Sequence, residues 1–247
     1  MDRQKNNDSQ ICPRCGAFRP LGSRSCWQCD RKKSVVRKSS GRIPVVTIIL
    51  ISINAIVFLW MTAVGSVRSH DTGIQVEQRF TIETMLLFGA QYKEYVLQDG
   101  EWWRLLTSVF LHFDMQHLFG NMFSIGLFGT QIEKYQGRVP FLVGYLCTGL
   151  ISSAATLYLG SGTAVSAGAS GAAFGLVGIV LIYTILSKQS LGNLTITGVI
   201  AVLAFNVYYG IVTPNIGHIA HAGGLIGGVL YGILLYNIHR LRTGRRV

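Results

Sequence analysis

The chain has 247 residues, of which 49% are hydrophobic and 13% charged, with a net charge of +11. Soluble domains carry roughly 25% charged residues, so this composition argues against an ordinary soluble protein. The basic excess invites a nucleic-acid reading, but its distribution argues against one: 11 of the 22 Lys+Arg precede the first apolar run and four follow the last.

In chain order, residues 1–30 form a small polar module with "CPRC" at Cys12 and Cys15 and "CWQC" at Cys26 and Cys29. Two C-x2-C knuckles at this distance supply four thiolates at tetrahedral zinc spacing. A module of this size buries little core, so one structural zinc ion would stabilise it. Disulfides are disfavoured if the module faces a reducing cytoplasm. Residues 31–43 read as a basic linker, residues 44–239 as a membrane body and residues 240–247 as a basic tail. The polar, cysteine-bearing start does not resemble a signal peptide.

A membrane helix needs about 20 mostly apolar residues. Six stretches qualify: Pro44–Val64, Met115–Ile132, Pro140–Leu159, Ser170–Leu186, Leu194–Tyr209 and His218–Ile238. Lys134, Arg138 and Lys188 mark the second-to-third and fourth-to-fifth connections, while the third-to-fourth and fifth-to-sixth hold no charge. By the positive-inside rule both termini are expected in the cytoplasm. The long connection from Gly65 to Asp114 holds seven of the eleven acidic residues and is expected outside. Its "EWWRLLTSVFLHF" predicts a partly helical segment at the membrane surface, where tryptophan is favoured. Cys147 lies within an apolar span and is expected to pack.

Polar residues in spans are costly and usually functional. With this topology, spans two, four and six run in the same direction. Their outer ends carry His117 and Asn121, then Ser170, then His218 and His221. The i, i+4 spacing puts His117 and Asn121 on one helix face. Serine becomes a good nucleophile when a base takes its proton, and histidine titrates near neutrality. The free amides of a helix N-terminus suit an oxyanion, and Gly168 and Gly171 would admit a substrate backbone. Apart from the outer-loop acids, which end at Asp114, Glu133 is the only carboxylate in or next to spans two to six, and it lies at the opposite end of span two. A Ser–His dyad is therefore expected rather than a triad, with no catalytic cofactor.

These residues resemble the rhomboid intramembrane serine proteases over roughly Pro44 to Ile238. The resemblance rests on "WR" (Trp103, Arg104), on H-x4-H-x3-N (His112, His117, Asn121), on "GASG" around Ser170 and on "AHAGGLIGG" around His221. Glu133 and Gly137 match a further family pair. The resemblance implies an all-α polytopic membrane protein, a six-helix bundle to which the zinc module is an addition. It implies Ser170 as nucleophile and His221 as base, with His117, Asn121, Gly168 and the Ser170 amide around the oxyanion. Phe174 stands where some members have Tyr, and its ring would stack on His221. Gly224 and Gly228 fit a close contact between spans six and four. The implied reaction is peptide-bond hydrolysis in or near the transmembrane segment of single-span membrane proteins, in a lipid bilayer, most simply a prokaryotic cell membrane. No nucleic-acid partner is expected. The alternative is a rhomboid-like pseudoprotease, a membrane chaperone or adaptor, which would lack Ser or His at the dyad positions.

Overall fold

The structure is a computed structural model that describes residues 9–13, 15–23, 26, 43–65, 67–71, 76–212 and 217–243. The chain divides into two compact units, Met1–Gly41 and Arg42–Val247.

In the first unit, β1 (Ser9–Ile11) pairs antiparallel with β2 (Phe18–Pro20), Gln10 facing Arg19. The turn between them is drawn tight by bonds from the Cys12 amide to the Ala17 carbonyl (2.8 Å) and from the Gly16 amide to the Cys12 carbonyl (2.9 Å). It needs a left-handed residue, and glycine fills that position at Gly16 (φ 72°).

The second unit is a helical bundle. Its first helix, α1 (Val45–Val64), buries Thr47, Leu50, Asn54, Phe58 and Met61. These recur every three or four residues and make one inward stripe. Ile49, Ile53, Ile56, Leu59 and Trp60 stay exposed, as a lipid-facing surface requires.

A loop region follows that the sequence did not fully reveal. Strands β3 (Val67–Asp71) and β4 (Val76–Phe80) form an antiparallel hairpin. Three short helices come next, α2 (Ile82–Leu87), α3 (Lys93–Leu97) and α4 (Arg104–Thr107), and then a 3-10 turn at Ser108–Phe110. The "EWWRLLTSVFLHF" segment is thus partly helical, as expected, with Trp102 and Trp103 in the turn before α4 and each half exposed.

Span two is one helical path in three parts: α5 (Met115–Ser124), a π-helical turn (Ile125–Gly129) and α6 (Thr130–Gln136). Asp114 caps its start by accepting the His117 amide at 2.6 Å. The remaining helices are α7 (Arg138–Leu159), α8 (Ser170–Ser187), α9 (Ile196–Val212) and α10 (His218–Thr243). Among the described residues, α1, α7, α8 and α10 are each long and apolar enough to cross a membrane; α9 is apolar but shorter. The expected six-helix bundle is present, with span two broken by the π turn. Cys147 is a correction: it is exposed on α7, because its turn of helix buries Gly144, Tyr145 and Thr148 instead.

Helix α8 is the axis of the bundle, with every residue from Gly171 to Val180 buried. It runs parallel to α10, and the two backbones touch. A methyl group at Gly224 would overlap the Gly171 carbonyl, and one at Gly228 the Gly175 carbonyl. This is the small-residue contact by which membrane helices pack without a hydrophobic drive between them.

Candidate active site

The site gathers at the N-terminal ends of α5, α8 and α10. His117 lies in the first turn of α5, held by the Asp114 cap. His112, fully buried, sits edge-on to it with ring centroids 5.1 Å apart. The His112 Nε2 accepts from the Ala169 amide at 3.5 Å and so reaches the residue before Ser170. Asn121 is one turn along α5 and 6% exposed; its Nδ2 is buried with no partner among the described residues. A buried amide donor without a partner is costly unless a ligand uses it.

Gly168 is the hinge of the constellation. Its φ of 133° belongs to glycine, and its amide donates to the Ser108 carbonyl at 2.9 Å. A methyl there would lie 2.6 Å from His117 Cε1, 2.8 Å from His117 Nε2 and 3.7 Å from Ser170 Oγ. His117 and Ser170 therefore flank the same point, and only glycine leaves that point open.

Ser170 begins α8 and is half-buried. The first amides of a helix have no intrahelical acceptor, and they carry the positive end of its dipole. The Ser170 hydroxyl has no hydrogen-bond partner among the described residues, His221 included. His221 lies in the first turn of α10, its amide bonded to the Gly217 carbonyl at 3.1 Å. Its imidazole stacks on Phe174, with centroids 4.2 Å apart and planes 11° apart. Ser152 of α7 donates to the Ala220 carbonyl at 2.8 Å and fixes the backbone beside the imidazole. Catalytic hydrogen bonds are often open in a substrate-free site and close in the complex. His218, the first residue of α10, is exposed.

The other residues singled out from the sequence support the frame. Buried Arg104 donates to the Leu86 carbonyl (2.8 Å) and the Ala90 carbonyl (3.0 Å), pairs with Glu101 and lies over the Tyr95 and Trp103 rings. Glu133 accepts from the amides of Val46 (3.0 Å) and Thr47 (2.8 Å) and from the Thr47 hydroxyl (2.8 Å). It caps α1 and lies far down span two from His117. Gly137 ends α6, with its amide on the Glu133 carbonyl. Sequence reasoning missed Gln91, whose backbone pairs both ways with Ser166 at 2.9 Å and steadies the loop before the nucleophile. Its side chain also donates to the Ser153 carbonyl. A lone glutamine in a loop carries no pattern that could have flagged it.

Residues 99–238 match the family model described as the Rhomboid domain. The chain belongs to the rhomboid family. It is 40% identical over 147 residues to "Rhomboid protease GluP" of Bacillus subtilis (strain 168), which covers 59% of this chain and 28% of that protein. It is 38% identical over 136 residues to YdcA of the same strain, covering 55% of this chain and 68% of that one. "RHOMBOID-like protein 5" of Arabidopsis thaliana is 32% identical over 161 residues, which is 63% of this chain and 50% of that protein. This rhomboid thus spans between about a quarter and two thirds of the relatives it matches. It is an integral membrane protein, as its family and its long apolar helices require.

In the smaller unit, the sulfurs of Cys12, Cys15 and Cys26 lie within 4.8 Å of one another. Cys15 and Cys26 are 3.6 Å apart, far beyond a disulfide. That spacing fits the edge of a tetrahedron with bonds of about 2.3 Å to zinc. Cys29 lies outside the described residues.

Proposed function

We propose that this rhomboid is an intramembrane serine endopeptidase acting through a Ser170–His221 dyad on single-span membrane proteins. The observation that carries the reading is the shared space at Gly168, bordered by the Ser170 hydroxyl and the His117 imidazole. Ser170 Oγ attacks the scissile carbonyl and His221 takes its proton. The oxyanion that forms meets the Ser170 amide, His117 and the otherwise unpartnered Asn121 Nδ2. His221 then returns the proton to the leaving amine, and water hydrolyses the acyl–serine ester. The possession of both Ser170 and His221 favours this over a pseudoprotease.

Both termini face the cytoplasm in this reading, so the dyad lies toward the outer leaflet, and residues 1–30 form a zinc module held by Cys12, Cys15, Cys26 and Cys29. The metal would supply a fixed tetrahedral cross-link to the fold of that module. The deciding experiment is cleavage of a model single-span substrate by purified protein, wild type beside Ser170→Ala and His221→Ala. Cleavage by wild type alone supports the dyad, and cleavage by a correctly folded variant overturns it.

A further inference from the structure

The hairpin β3–β4 adds a cation to the rim of the site. Its second strand is fastened to the segment that leads into α5. The Phe80 amide donates to the Phe113 carbonyl at 2.9 Å, and Arg79 faces Asp114 across an antiparallel bridge. The Arg79 guanidinium thereby lies over the Phe113 ring, 4.9 Å from its centroid. The Phe113 ring is nearly parallel to the His117 imidazole, at 6.5 Å and 12°. One chain of contacts runs from the guanidinium through an aromatic ring to the residue that flanks Ser170.

Arg79 is half-buried and has no carboxylate partner among the described residues. The ion pairs among the described residues are Arg104–Glu101 and Arg138–Glu133. Asp114, opposite Arg79, uses its carboxylate to cap His117. A guanidinium resting on an aromatic face keeps its outward N–H groups for a second partner, and it binds carboxylates in a fork that lysine cannot reproduce.

We infer that Arg79 is a specificity residue, selecting substrates with an Asp or Glu in the extended segment that flanks the scissile bond. The inference rests on the proteolytic reading above. The two ring steps from His117 correspond to about three residues of extended chain, each at most ~3.6 Å, so the acidic side chain belongs within four residues of the cleavage site.

The test is a scan of single-span substrates in proteoliposomes, with Glu or Gln at each of the four positions on either side of the cleaved bond. At one of these positions wild type should prefer Glu by about two- to fivefold in kcat/KM, the range a partly exposed ion pair delivers. Arg79→Gln should bring that ratio to one, Arg79→Lys should keep its direction, and Arg79→Glu should favour a Lys substrate. A wild-type ratio of one at every position overturns the inference while leaving the protease intact. A preference that survives in Arg79→Gln overturns it as well. No cleavage of any substrate by wild type removes the proteolytic reading, and the inference falls with it.

Discussion

The Phe174 ring lies parallel to the His221 imidazole at 4.2 Å, one turn of α8 below Ser170. Side chains on a helix lean toward its N-terminus, so a ring at Phe174 rises to the level of the nucleophile and fixes the plane of the base. Phe174→Leu should lower kcat by about two- to tenfold with KM little changed, since an aromatic pair contributes about 0.5–1.5 kcal/mol beyond its burial. Phe174→Tyr should keep the stack and the rate. Steady-state kinetics on a soluble reporter of the cleaved bond would decide, and a fall in KM alone would argue against an orienting role.

Asn121 carries a buried amide donor without a partner among the described residues. If that donor meets the oxyanion, Asn121→Ala should reduce kcat by about 10²-fold or less, within the about 10²–10³ typical of one such donor. Asn121→Asp should be worse than Ala, because an ionised carboxylate only accepts hydrogen bonds and repels the developing charge. Equal kinetics in wild type and Asn121→Ala would remove the residue from the oxyanion site.

Contact between α8 and α10 leaves no room for side chains at Gly224 and Gly228. Gly224→Val should push α10 away from Ser170, lower thermal stability in detergent by the equivalent of about 1–3 kcal/mol and abolish cleavage. Gly227, where a methyl would lie 3.0–3.4 Å from side-chain atoms of Ile151 rather than against backbone, offers a milder neighbour for comparison. If Gly224→Val keeps wild-type stability, the backbone contact is not what joins the two helices.

Metal analysis of the full chain should give one zinc ion, lost when Cys12, Cys15, Cys26 and Cys29 are changed to Ser. Every residue assigned to the proposed chemistry lies in the unit Arg42–Val247, so a protein lacking residues 1–30 should still cleave substrate in detergent. Equal zinc in both proteins would disprove the site.

Much of this arrangement could be read from the chain, for reasons that differ by element. Spans announce themselves by length and apolarity, so α1, α7, α8 and α10 fall within a few residues of their expected bounds. The depth of polar residues followed from charge asymmetry between connections, which is why Ser170, His117 and His221 could be set at one end of the bundle. The π turn at Ile125–Gly129 was not legible, because an apolar run has the same composition whether each turn closes over four residues or five. Hairpin β3–β4 escaped notice because its strands, "VRSHD" and "VEQRF", are mostly polar. Facing was equally hidden: the sequence put Cys147 in a span, but a helix apolar all round does not say which side is turned to lipid.

The carboxylate of Glu133 has a consequence for how the chain is assembled. It holds the amides of Val46 and Thr47, which precede it by 87 and 86 residues. When the first span leaves the ribosome, the group that will close its leading turn has not been synthesised. Those amides stay with water or headgroups until span two has crossed and delivered its carboxylate to them. The leading turn of the first helix is therefore completed only when Glu133 reaches it. A span made later thus closes the leading turn of the span made before it.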